Sequence, residues 1–243
     1  MSHTFFDLDN TLYKGKLRHV ILDFPQYLFE RGMFSTYAIN ELNDLRTKYS
    51  ADKIDRTTFA LEVIKYYYAG LKDTSTSIIH EAAQFFWRDT KNTAWFPYTI
   101  ELIKLLNTHT ETIVVSGSPI EVLDIVFDEL GVDKLFATSG TIIDNKYTGE
   151  FELSQEMATA EAKKLFIARY TEMASYNYEQ SFAFGDSESD YPLLEAVPPQ
   201  NAFLFTHKAN LMLYGKEMGW NVLSQEDDIT QVVSKRISEI FRQ

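Results

Sequence analysis

Residues 1–16 read MSHTFFDLDNTLYKGK, and the order of events in this stretch decides the fold. Thr4, Phe5 and Phe6 form a short apolar run ending in two carboxylates, Asp7 and Asp9, before the turn-prone Asp9-Asn10 pair. The run predicts a buried strand over residues 4–7, which places both charges where the core meets solvent.

Moving outward, residues 14–92 carry almost no strand signal. Helical patterns are predicted over Val20–Arg31, Ser35–Tyr49, Arg56–Ala69 and Thr74–Arg88. In the third, Phe59, Val63, Tyr66 and Tyr67 recur at helical spacing, Asp55 is placed to cap the helix, and Gly70 stands where a terminating C′ residue belongs. The Tyr66-Tyr67-Tyr68 run reads as a packed helix face rather than an aromatic cage.

Beyond Phe96-Pro97 helix and strand alternate. A helix over Tyr98–Asn107 precedes a β-branched strand, Thr112–Val115, ending at Ser116-Gly117-Ser118-Pro119. There follow a helix over Ile120–Leu130 stopping at Gly131, a strand over Leu135–Thr138, and a hairpin over Thr141–Phe151 turning at Asp144-Asn145. A helix over Met157–Ala174 leads to a strand over Ser181–Phe184 that ends in Gly185-Asp186. The strand Ala202–Phe205, a helix to Met218, the strand Asn221–Leu223 and a terminal helix behind the acidic run Glu226-Asp227-Asp228 complete the chain. This alternation implies an α/β fold: a parallel sheet with helices on both faces. The expected division is a core of residues 1–13 and 93–243, interrupted by a helical insertion over 14–92.

Composition narrows the chemistry. With 243 residues, 45% apolar, the chain is long enough for one large domain or one domain with an insertion. A net charge of −12 argues against a nucleic-acid surface, so a phosphorylated substrate must be met by local cations or a metal. The absence of cysteine removes disulfides, thiolate nucleophiles and cysteine zinc sites. The five histidines are scattered without metal spacing. No targeting segment or membrane-length apolar run is evident, and a cytoplasmic location with no membrane partner is the expectation.

In an open parallel α/β sheet, ligands gather outside the carboxyl ends of the strands. There the chain offers Asp7 and Asp9, then Ser116 with the turn at Gly117, then Asp186 and Asp190; Lys163 or Lys164 comes from the start of a helix. Converging carboxylates at a dry edge cost several kcal/mol per ion unless compensated. A hard divalent cation, typically magnesium, removes that cost while meeting a substrate phosphate. The set suits phosphoryl transfer: Asp7 as nucleophile and metal ligand, Asp9 as general acid and base, Ser116 and a lysine on the phosphoryl oxygens.

FFDLDNTLY, VVSGSP, EAKK and FGDSESDYPLL, in this order, resemble the four motifs of the haloacid dehalogenase superfamily. The hairpin TIIDNKYTGEF and the later EMGWNVL resemble its phosphoserine-phosphatase-like branch (subfamily IB), whose helical cap is inserted just after the first motif. The resemblance implies a phosphatase acting on a small phosphate monoester through an aspartyl-phosphate. It implies Mg²⁺ held by Asp7, the backbone carbonyl of Asp9, and Asp186, with Asp190 in support. Ser116 and Gly117 then bind phosphate, and the motif-three lysine is Lys163 by the Glu-Ala-Lys spacing. A phosphomutase or phosphotransferase of the same superfamily, and a silent module binding a protein partner, are the competing expectations. One departure concerns substrate: where phosphoserine phosphatases carry an acid after motif one, this chain reads Lys14-Gly15-Lys16-Leu17-Arg18, which points to a more anionic or larger ester.

Overall fold

The computed structural model describes residues 1–173 and 175–241. Strands β1 (His3–Phe6), β2 (Glu111–Pro119), β3 (Lys134–Thr138), β6 (Phe182–Gly185), β7 (Ala202–Phe205) and β8 (Asn221–Leu223) form one sheet in the order β3-β2-β1-β6-β7-β8. Every pairing in it is parallel, and Phe6 stands in register with Val114 on one side and Phe184 on the other. The chain winds outward from β1 to β3 and then returns to β6, so the strand order reverses beside β1.

Between β1 and β2 come α1 (Val20–Glu30), α2 (Thr36–Ser50), α3 (Arg56–Leu71) and α4 (Thr76–Ala94). Side chains alternate along β1, so neighbouring phenylalanines serve opposite layers. Phe6 packs with Val114, Phe184 and the apolar faces of α5 (Thr99–Asn107), α6 (Ile120–Leu130) and α10 (Ile229–Phe241). Phe5 packs with Ile113, Val115 and Ala183 beneath α7 (Ala160–Met173), α8 (Tyr191–Glu195) and α9 (Ala209–Glu217). None of the described helices is long and apolar enough to cross a membrane.

The helical segment leaves and rejoins the sheet layer at one point. The N–H groups of Lys14 and Gly15 both donate to the carbonyl of Ala94, at 2.7 and 3.2 Å. Within the segment, Tyr67 and Tyr68 are buried in the core, and Tyr68 donates its hydroxyl to the Thr138 carbonyl at 3.1 Å. Asp55 caps α3, accepting from the Thr58 N–H at 2.9 Å.

The hairpin β4 (Gly140–Ile143) and β5 (Lys146–Phe151) turns at Asp144 and Asn145, both with left-handed φ of 49° and 60°. It does not join the main sheet. Instead Asp73 donates its N–H to Tyr147, Tyr147 to Thr74, and Thr76 to Asn145, at 2.9 to 3.0 Å, so the hairpin is tied to the α3–α4 connection.

Two local expectations are corrected. Gly70 does not end α3, which continues to Leu71; a Cβ at residue 70 would lie 2.1 Å from Cζ of Phe34, so the glycine is there for the ring. The helix expected from Met157 begins at Ala160, because the Glu156 carboxylate accepts the N–H groups of Ala158 and Thr159 and folds this stretch into a turn. Ala174, where that helix was expected to end, lies outside the described residues.

Candidate active site

The N–H of Asp7 donates to the carbonyl of Phe184 at 2.9 Å, extending the β1–β6 ladder one residue past the strand. That bond fixes the carboxylate at the carboxyl edge of the sheet, at the reversal of strand order. Asp186 directly follows β6, its N–H turned to the Asp190 carboxylate rather than to a neighbouring strand. Asp7, Asp186 and Asp190 each bring a carboxylate oxygen within 4.8 Å of the others. Into this group α7 sends Lys163, only 1% exposed, whose Nζ donates to Asp7 Oδ1 at 2.7 Å and to Asp190 Oδ1 at 2.6 Å. Its neighbour Lys164 is exposed.

Two glycines make this convergence possible. A Cβ at residue 185 would lie 2.4 Å from Cβ of Asp190, so Gly185 lets Asp190 fold back against its own strand. A Cβ at residue 117 would lie 2.4 Å from Cβ of Ala158 and 2.7 Å from its Cα, so Gly117 lets the turn before α7 close on β2.

The three carboxylates are not equivalent. Both oxygens of Asp190 are engaged: Oδ1 by Lys163, Oδ2 by the N–H groups of Asp186 and Ser187 at 2.9 and 3.0 Å. Burial works against its charge, but Lys163 and these donors hold its pKa below the usual carboxylate range. Asp7 is pushed up to about 7, chiefly by burial and then by the charge of Asp190, with Lys163 opposing. Asp186 is driven well above the normal carboxylate value by burial, Asp190 and Asp7. Its carboxylate has no hydrogen-bond donor among the described residues. An oxygen-seeking divalent cation fits this pattern of need, with Asp7 and Asp186 available to it and Asp190 already committed to Lys163 and the backbone.

Asp9 occupies different surroundings. Its Oδ2 accepts from the Ser118 hydroxyl at 2.6 Å and its Oδ1 from the N–H of Val20 at 2.9 Å, the first residue of α1. Burial raises its pKa to about 6, with the Ser118 and Val20 bonds opposing. The carboxylate therefore joins the sheet edge to the helical segment and titrates near neutrality. The bend that allows this passes through Asn10 at φ 63°, with the Leu8 carbonyl accepting from Thr11, Leu12 and Tyr13.

Ser116 is fully buried, and its hydroxyl accepts the N–H of Ser118 at 3.1 Å. Gly117 rather than Ser116 lines the small pocket of 30 Å³ over Asp7, Asp9, Lys163 and Asp186. The opposite wall comes from α3, through Arg56, Phe59, Ala60 and Val63, and from His19 before α1. Burial, with Arg56, Arg18 and Lys208 nearby, lowers the His19 pKa to about 3. Ser118, His19 and Arg56 were not anticipated as site residues. For Ser118 a signal existed, as the second hydroxyl of Ser116-Gly117-Ser118; for His19 and Arg56 only the folded helical segment brings them in.

A model of the haloacid dehalogenase-like hydrolase family matches residues 4–195. A probable phosphatase of Mycobacterium tuberculosis is 32% identical over 114 residues, which is 47% of this chain and 38% of that relative. Among solved structures, a Bordetella pertussis Tohama I protein of unknown function superposes with a TM-score of 0.75 at 20% identity, over 93% of this chain and 99% of that one. A phospho-aspartyl intermediate analogue of phosphoserine phosphatase gives a TM-score of 0.66 at 20% identity, over 96% and 98% of the two chains. The matched stretch thus spans about two fifths of the length of the mycobacterial relative, while the two structural neighbours share the fold from end to end. The family match runs from β1 through the Gly185-Asp186 turn to α8 and takes in each carboxylate and the lysine just described. This chain belongs to the haloacid dehalogenase-like hydrolase family.

Proposed function

We propose that the protein is a magnesium-dependent phosphatase that hydrolyses a small phosphate monoester through an aspartyl-phosphate on Asp7. The observation that carries this reading is the pairing of two unlike carboxylates: Asp7 held by Lys163 beside Asp186, and Asp9 held apart by Ser118 and Val20. The mycobacterial relative named a probable phosphatase and the phosphoserine phosphatase fold support the same reading.

Mg²⁺ would be held by Asp7, Asp186 and the backbone carbonyl of Asp9, where it neutralises phosphoryl charge and relieves the repulsion that raises the carboxylates. Lys163 engages Oδ1 of Asp7 and so leaves Oδ2 as the oxygen that attacks phosphorus. As the Asp7–phosphorus bond forms, the bond from phosphorus to the ester oxygen breaks, and Asp9 gives its proton to the departing alkoxide. Water then enters; Asp9 takes its proton, the oxygen bonds to phosphorus, and the bond to Asp7 breaks to release phosphate. A group titrating at about 6 is matched to giving and taking a proton near neutral pH. Lys163 and the N–H groups around Gly117 are placed to meet the phosphoryl oxygens, with Ser116 buttressing that turn from behind. The helices of residues 14–92 act as the cap that covers the reaction.

The test is release of p-nitrophenol from p-nitrophenyl phosphate with Mg²⁺ or with EDTA. Wild type should turn over only with the metal, and Asp7→Asn should not turn over at all. Turnover by Asp7→Asn rules out the nucleophile. Inactivity of wild type across a broad panel of phosphate esters rules out the phosphatase.

A further inference from the structure

Next to the small pocket, and sharing Arg56, His19, Phe59 and Asp186 with it, opens a wider cleft of 250 Å³. Its character is opposite to that of the chain. In a protein of net charge −12, this cleft is lined by Arg18, Arg56 and Lys208, and Asp186, at its inner end, is its single carboxylate. The three cations come from three places: the linker after β1, the first turn of α3, and the residue preceding α9. None of them forms an ion pair within 4.0 Å among the described residues.

Two of the cations rest on aromatic rings instead. The Lys208 ammonium lies 5.5 Å from the Tyr49 ring centre and the Arg56 guanidinium 6.0 Å from that of Phe59. Those rings stack on each other at 4.4 Å. A stacked pair of this kind holds cations in place without neutralising them, which leaves their charge available to a ligand. Acids do stand on the outer side, where Asp55, which caps α3, and Glu188 share an adjoining groove with Arg56 and Lys208, but neither pairs with these cations within 4.0 Å among the described residues. Low-dielectric walls around a cluster of one sign focus its field on an anion.

We propose that Arg18, Arg56 and Lys208 form a subsite for a second phosphate group, so that the substrate is a bisphosphate whose other phosphoryl group meets Asp7. This rests on the phosphatase reading for its first phosphate. Three unpaired cations suit a dianion better than a single carboxylate, and the cleft presents no acid, apart from Asp186 at the metal end, to receive an ammonium group. Lys16, the residue that departs from the phosphoserine phosphatase pattern, is exposed and lines neither cavity; the selecting charge sits two residues later, at Arg18.

The experiment is calorimetric titration, with Mg²⁺ present, of a series of short α,ω-alkylene bisphosphonates against matched alkyl monophosphonates and ω-carboxyalkyl phosphonates. Wild type should bind the best bisphosphonate at least about tenfold more tightly than its monophosphonate. Arg18→Gln/Lys208→Gln, both at exposed positions, should lose that advantage while melting as wild type does. Equal affinity for the two ligand types in wild type overturns the subsite, and so does an advantage that persists in the double variant. A carboxyalkyl phosphonate matching the bisphosphonate overturns the assignment to phosphate. Hydrolysis is read in parallel: a bisphosphonate advantage without turnover of any ester leaves the subsite standing and removes the phosphatase, and turnover without the advantage does the reverse.

Discussion

The Nζ of Lys163 stands 2.7 Å from Oδ1 of Asp7, although 156 positions separate the two residues in the chain. This contact closes the sheet edge. It cancels part of the charge gathered by Asp7, Asp186 and Asp190, and it distinguishes the two oxygens of the proposed nucleophile.

Replacing Lys163 with methionine keeps the length of the side chain and removes the cation. Asp7 and Asp190 would then be buried without their partner, a change worth about 3–5 kcal/mol. Urea denaturation in EDTA should show that loss, and turnover of p-nitrophenyl phosphate should vanish even under conditions where the variant is fully folded.

The metal-free protein should lose stability as pH rises toward neutrality. Asp7 at about 7 and Asp9 at about 6 hold protons more tightly in the folded chain than in the unfolded one, where carboxylates titrate near about 4. Between about pH 4 and pH 7 the folded state therefore binds more protons, and stability falls across this window. Asp190 and His19 act in the other sense: the lowered pKa of Asp190 contributes stability that disappears only in acid, and His19, lowered to about 3, adds stability as pH rises until the unfolded imidazole is neutral above about 6.5, which offsets part of the carboxylate effect. Melting temperatures measured in EDTA should fall from about pH 5 to about pH 8, and Mg²⁺ should restore most of the difference. A flat profile in EDTA would count against the raised carboxylates.

Ser118→Ala removes the hydroxyl that donates to Asp9 at 2.6 Å. A hydrogen bond to a charged group is worth about 1.5–3 kcal/mol, so the Asp9 pKa should rise by about one to two units. Because the proposed mechanism uses a protonated Asp9 to release the alcohol, the alkaline limb of the kcat/KM profile should move up in pH by the same amount. A limb that does not move assigns the leaving-group proton elsewhere.

Gly117→Ala forces a Cβ to within 2.4 Å of Ala158, where backbone as well as side chain stands in the way. The expected cost is about 1–3 kcal/mol of stability. Turnover should fall further than stability, because the displaced turn precedes the helix that carries Lys163. Chemical denaturation and kinetics on the same preparation separate the two effects.

The residues that were legible in the chain are those that end strands. Asp7, Ser116 and Asp186 each follow an apolar run, and the alternation of these runs with helices was enough to set the parallel sheet. Lys163 carried a weaker signal; in space it is the buried member of the pair, beside an exposed Lys164. What stayed hidden depends on contacts between distant segments. Gly70 has the look of a helix stop, and only the packing of Phe34 explains its place inside α3. The hairpin β4–β5 has a clear turn, but nothing local indicates that it ties to residues 73–76 instead of the main sheet. Arg56 and Lys208 lie far apart in sequence and share a cleft through a Tyr49–Phe59 stack that no periodicity announces.

The bonds from Lys14 and Gly15 to Ala94 make residues 16–93 a natural graft. A foreign segment whose ends lie a hydrogen bond apart could replace them without re-registering a single strand. Chemistry and selectivity would then diverge at separate rates, one written in the sheet and the other, apart from the contribution of Lys208, in the exchangeable part. The separation is incomplete, because the Val20 N–H that orients Asp9 travels with the graft. Any replacement must bring its own donor to that carboxylate, or a new substrate preference arrives together with a new acid.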